Sequence, residues 1–140
     1  MGHAIQDHFD AFLALLQADA SLTPYDGQVP DSPADHYALV YFYIETPDGL
    51  VAPDAVDLTH DSDVVDARAY VHSVGPTPSS ARAVSGRVRT AVLNRTLTIS
   101  GRSCFPIRWR EGQPPQRNEE VPGSPVHDQV DVYGFRSVPV

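Results

Sequence analysis

Ala67 to Leu93 reads Ala-Arg-Ala-Tyr-Val-His-Ser-Val-Gly-Pro-Thr-Pro-Ser-Ser-Ala-Arg-Ala-Val-Ser-Gly-Arg-Val-Arg-Thr-Ala-Val-Leu. A strand runs into the breaker Gly75-Pro76, and a helix follows at once. The Thr77 hydroxyl suits an N-cap, where it accepts an orphan amide hydrogen of the first turn. Pro78 then falls at the first helical position, where its missing N–H costs nothing. Ala81, Val84, Val88, Ala91 and Val92 fall on one stripe at helical spacing, with Arg82, Gly86 and Arg89 on the other side. A strand followed by an amphipathic helix needs a sheet for that helix to cover.

Upstream, Ile5 to Ala18 has a helical apolar stripe of Ile5, Phe9, Phe12, Leu13 and Leu16, bordered by Leu15. Asp7 and Asp10 suit its positive N-terminal end. His3 and His8, near that helix start, read as surface residues. Asp19 to Val29 reads as a loop with a turn at Asp26-Gly27, and Asp31-Ser-Pro continues it. Tyr37 to Ile44 is a near-continuous apolar run of aromatic and β-branched residues, which predicts a central strand. Thr46-Pro-Asp-Gly breaks it. Leu50 to Asp66, with Asp54, Asp57, Asp61, Asp63 and Asp66, reads as a solvated connection. Val64-Val65 opens the strand that leads to Val74.

Downstream, Leu97-Thr-Ile and Cys104-Phe-Pro-Ile-Arg-Trp-Arg are short strand candidates separated by Ser100-Gly101. Ile107 and Trp109 alternate with Arg108 and Arg110, one face apolar and the other cationic. Glu111 to Pro125 holds four prolines and two glycines around Asn118-Glu119-Glu120. It reads as an extended polar loop or arm. Val126 to Val138 closes the chain as a strand. Its Val126, Val130 and Val132 face is broken only by Asp128, at the start. The expected fold is one α+β domain over residues 1–140: a small mixed or antiparallel sheet, two main helices packed on it, and a long Pro-rich loop.

A chain of 140 residues can bury roughly 65–70% of its unfolded surface, so it needs neither disulfide nor metal to fold. The single cysteine, Cys104, reads as a small buried hydrophobe. The net charge is −8 and every basic residue is Arg. That balance argues against wrapping nucleic acid, which needs clustered positive charge. No apolar run approaches the ~20 residues of a membrane span, and the N-terminus lacks a basic-then-apolar layout. A product that is cytosolic where it is made is expected.

No phosphate-binding glycine loop, dinucleotide fingerprint, zinc-protease motif or nucleophile elbow occurs. The best metal candidates are His60, Asp61, Asp63 and His72, the set on which a small metal-dependent hydrolase would rest. The spacing fixes no second His near the loop, and zinc needs three or four converging ligands. No carboxylate sits in a clearly apolar stretch where it would serve as a general acid or base; Glu45 comes nearest. The expectation is a non-enzyme without cofactor or metal. Interaction-like residues are Arg82, Arg89, Arg108, Trp109, Arg110, Glu119 and Glu120, because Trp and Arg favour interface hot spots.

Five features occur in order. They are the Phe-Leu-x-Leu-Leu helix, the Tyr25-Asp-Gly-Gln-Val-Pro30 turn, the aromatic strand Tyr37 to Ile44, Tyr70-Val-His-Ser-Val-Gly75 before an Ala/Arg helix, and His127-Asp-Gln-Val-Asp-Val-Tyr-Gly-Phe-Arg136. This pattern resembles the tail terminator proteins of long-tailed actinobacteriophages. The Glu111 to Pro125 loop departs from it. The resemblance implies a structural virion protein that forms a ring, typically of six copies. The ring caps the tail tube, ends its polymerisation and joins the tail to the head connector. Implied partners are further copies of the chain, the tail-tube protein and the connector or head-completion protein. DNA would pass through an acidic lumen without specific binding, since like charge keeps a duplex from sticking. A head-completion or connector adaptor of the phage neck is the neighbouring reading.

Overall fold

The computed structural model describes residues 4–45, 64–118 and 126–140. Its elements are α1 (Ala4–Gln17), β1 (Pro24–Asp26), β2 (Tyr37–Glu45), β3 (Val65–Gly75), α2 (Pro78–Val92), β4 (Arg102–Cys104), β5 (Arg108–Gly112), β6 (Gln116–Asn118) and β7 (Val126–Pro139). The strands form one mixed sheet in the order β1-β2-β3-β7, and the far edge of β7 is shared by β4, β5 and β6. β1 pairs β2 in parallel, and every other pairing is antiparallel. The fold is α+β.

The strand-to-helix corner forms as its residues predict. Thr77 caps α2 and its side chain accepts from the Ser80 amide, while the Ser80 hydroxyl answers the Thr77 backbone. The two bonds are 3.1 and 2.9 Å long. This reciprocal box satisfies two of the orphan donors at a helix start. It also explains Gly75: a Cβ there would meet Ser80 Oγ at 2.4 Å. At the other end Asn94 takes φ 63°, a left-handed residue that stops the helix. Ala81, Val84, Val88 and Val92 are buried against β3 and β7.

The sheet alternates as the pleat requires. Val65, Ala67, Ala69, Val71 and Ser73 of β3 turn toward the helices, and Asp66, Arg68, Tyr70 and His72 turn away. The small residues Ala67 and Ala69 face Phe135 and Tyr133 of β7 in the register, leaving room for those rings in the core. Phe12 of α1 packs on Phe42, Tyr133 and Phe135, with ring centroids 5.7, 6.5 and 5.4 Å away.

Several expectations are corrected. Tyr37 to Ile44 is a strand, yet the middle of the sheet belongs to β3 and β7. Its residues are two-faced rather than wholly buried: Ala38 and Val40 are in the core, while Tyr41 and Tyr43 are 44% and 53% exposed. Aromatic residues on the outward face hid the alternation from a hydropathy reading. The loop read over Asp19 to Val29 contains β1, which is only three residues long and too short to carry a period. Gly27 does turn there, with φ 66°. Leu97-Thr-Ile forms no strand. Leu97 and Ile99 are buried in the core all the same, and the edge of β7 is already taken by β4 to β6. Glu111 to Pro125 is not one open loop. Its first residues extend β5, and Gln116–Asn118 forms β6, both paired to β7. Residues 119–125 lie outside the described residues. In β7 the core face is the odd one, Tyr133, Phe135 and Ser137, and not the valine face.

Candidate functional site

Three of the interaction-like residues come together beside α2. β5 pairs with β7 so that Trp109 stands opposite Tyr133, on the side of the sheet that carries the helices. The Trp109 ring is 41% exposed, yet its Nε1–H donates to Asp131 Oδ1 at 3.1 Å. Arg89, in the last turn of α2, places its guanidinium carbon 5.9 Å from the Trp109 ring centroid, within cation–π range. Arg108 donates to the side-chain oxygen of Asn94, tying β5 to the end of α2. Arg110 lies on the opposite face of the sheet, against Gly134. Arg82 is exposed on α2, apart from this group.

The anchor of the group is a buried carboxylate that sequence reading passed over. Asp131 is buried and accepts from Ser85 Oγ at 2.6 Å and from Gln129 Nε2 at 3.3 Å, besides Trp109. Gln129 also donates to Ser85 Oγ at 2.8 Å. A buried charge persists only when its lone pairs are satisfied, and three donors from two strands and a helix do so here. This network fixes the Trp109 ring in one orientation at the surface. Tyr133, beneath it, has its phenol held well above the ordinary 10.0, first by burial and then by the Asp131 charge, against a smaller pull from Arg89.

A second buried polar group overturns the surface reading of His8. His8 is fully buried. It lies one turn before Phe12 and two before Leu16, both also fully buried, so the i, i+4, i+8 spacing carried the signal. Its Nε2 is 2.6 Å from Ser137 Oγ, and Arg102 Nε donates to the same oxygen at 2.7 Å. A guanidinium only donates, so the Ser137 proton is free to go to His8 Nε2. The His8 ring also stacks toward Phe135, 6.5 Å between centroids. This joins α1, β4 and β7, with His8 and Ser137 fully shielded from solvent and Arg102 nearly so.

His72 is engaged on the outer face of the sheet, its Nδ1 2.9 Å from Asp128 Oδ2 and its ring edge-on to Tyr41 at 5.5 Å. His60, Asp61, Asp63, Glu119 and Glu120 lie outside the described residues. Among the described residues no three His, Cys, Asp or Glu side chains converge as metal ligands, and no helix is long and apolar enough to cross a membrane. Cys104 is half-buried on β4. Burial pushes its thiol up, against the lowering influence of Arg102, which disfavours the reactive thiolate.

No protein-family model matches the sequence, and no curated protein matches it. Solved structures do share the fold. A chain of the virion of a native gene transfer agent particle aligns with a TM-score of 0.68 at 16% identity, over 98% of this chain and 99% of that one. A second solved chain aligns with a TM-score of 0.60 at 18% identity, over 97% of this chain and 96% of that one.

Proposed function

We propose that this chain is a virion structural protein of the tail-terminator type. Copies form a ring, six in the typical member, that caps the tail tube and joins it to the head connector. The observation that carries the reading is the end-to-end likeness to a chain of a gene transfer agent virion, with almost nothing left over on either side. The sequence resemblance to tail terminators points the same way and was drawn from other features, the turn at Tyr25 and the strand-to-helix corner.

The surface suits assembly by contact. Trp109 is exposed but rigid, because Asp131 fixes it from below. A pre-ordered aromatic ring loses little entropy on docking, and Trp beside Arg is the composition of interface hot spots. Arg82 and Arg89 put positive charge on the outer side of α2 in an acidic protein. Further copies, the tail-tube protein and the connector protein are the partners, and DNA passes through the lumen unbound. The working place is the virion neck, reached by assembly in the host cytoplasm.

Deleting the gene from the genome that encodes it tests the assignment. Electron microscopy of the particles should show tail tubes of uncontrolled length and unjoined heads. Tubes of normal length beside unjoined heads would move the protein to the head-completion role. Normal tailed particles would end both readings.

A further inference from the structure

Charge is segregated along this chain. No Lys or Arg precedes Arg68, and that stretch holds thirteen of the eighteen acidic residues. Between Asp66 and Glu111 there is no acidic residue, and eight of the ten arginines lie there. The topology sets part of this split across the sheet. β1 forms one margin of the sheet, and β4, β5 and β6 lie along the other. Four interstrand spacings separate β1 from β5, roughly 19 Å along the sheet at about 4.8 Å each.

The β1 margin is acidic. Asp26 is exposed at the end of the strand, and Asp31 and Asp35 are exposed in the segment after it. That segment is pinned: the Ala34 amide donates to Tyr25 Oη at 3.1 Å, and the Tyr25 ring packs on Tyr37 with centroids 5.3 Å apart. The opposite margin, where β5 also exposes Glu111, carries a cationic groove. Arg108, Arg110 and Arg136 line a groove with Phe105 and Pro106, floored by Gly134. Phe105 is 45% exposed there. Gly134 is what lets Arg110 lie down on the sheet, since a Cβ at that position would stand 2.6 Å from Arg110 Nε.

We infer that the acidic margin of one copy, Asp26 with Asp31 and Asp35, docks on the arginine groove of a second copy. The two surfaces are opposite in charge, present once each per chain, and too far apart along the sheet to meet within one copy. A contact between two different patches is heterologous, and repeated around an axis it makes a ring when its rotation closes. The inference rests on the self-association in the proposed function and names the surfaces that perform it. Three guanidiniums around an aromatic ring fit a carboxylate-bearing turn: they pair with its charges, and Phe105 covers its apolar atoms.

The test uses the full chain and its assembled mass by sedimentation, alone and with tail-tube protein as template. The variants are R110E/R136E, D31R/D35R, and the four-fold swap that carries all of these changes. Because Arg136 stands opposite Asp66 in the sheet, R110Q/R136Q and D31N/D35N serve wherever a reversal fails to fold by circular dichroism. Each double variant alone should need at least tenfold more protein to assemble. A one-to-one mixture of the two reversals should assemble, because each supplies the margin that the other lacks. The four-fold swap should recover assembly by itself, and salt should weaken the wild type. Double variants that assemble like wild type would overturn the inference and leave the ring standing. So would a mixture and a four-fold swap that both stay monomeric. A wild type that stays monomeric with and without tube protein would remove the ring and the inference together.

Discussion

Individual side chains decide how firmly the corner and the Trp109 anchor are held. Gly75 has no room for a methyl group, because Ser80 of the capping box occupies the space. Gly75→Ala should displace Ser80 and lose the cap, at a cost of about 1–2 kcal/mol in thermal unfolding. Asp131 gathers hydrogen bonds from Ser85, Gln129 and Trp109. Asp131→Ala leaves those donors without their carboxylate and should cost about 2–3 kcal/mol, with a shift in Trp109 fluorescence as the ring loses its orientation. Tyr133 contributes most strongly to the alkaline pH dependence, beside smaller contributions from Tyr37 and Cys104, which burial also raises. The Tyr133 phenol is raised in the folded chain, so its contribution is fully present below the unfolded value of 10.0. Above that pH the unfolded chain ionises first, and stability falls until pH passes the folded value. Tyr133→Phe should flatten the alkaline fall by about 1 kcal/mol between pH 10 and 11, read from denaturation midpoints. An unchanged slope would mean that another group dominates.

At the scale of elements, legibility tracked local chemistry. The corner from β3 to α2 was readable because Thr77, Pro78 and the apolar stripe each act within a few residues. α1 was readable as a helix, but His8 was not readable as core, since a polar residue on an apolar stripe counts as surface until its partner is known. That partner, Ser137, is 129 positions away. β1 and β6 escaped because three residues carry no period; only their pairing with β2 and β7 makes them strands. Leu97 and Ile99 misled in the opposite direction, apolar and extended but without a free edge to join. Of the candidate site, Arg89, Trp109 and Arg108 were legible as residue types. The carboxylate that organises them was not, because Asp131 alternates with valines and looks like the polar side of an edge strand. The outer side of α2 gives a test at this scale. Charge reversal at Arg82 and Arg89 should weaken ring or tube assembly while circular dichroism and the unfolding midpoint remain near wild type. Normal assembly would make α2 scaffold only.

For the whole molecule, the sheet separates two tasks. One face carries α1 and α2 and the core, and it holds the fold together through Phe12, Tyr133 and Phe135. The margins and the exposed residues beside α2 are left to meet other surfaces. An acidic chain with an arginine-lined groove at the far margin is suited to repeat one contact, and a repeated heterologous contact makes a ring when its rotation closes. An acidic lumen is a separate expectation of the proposed ring, resting on the net charge of −8, and a ring interior lined by arginine would contradict it. The central claim is self-assembly into a closed ring, and native mass measurement of the purified 15.3 kDa chain with tail-tube protein tests it most directly. A single closed species at an integer multiple of the monomer, six in the typical case, is the predicted result. A monomer at every concentration, with and without the tube, would contradict it.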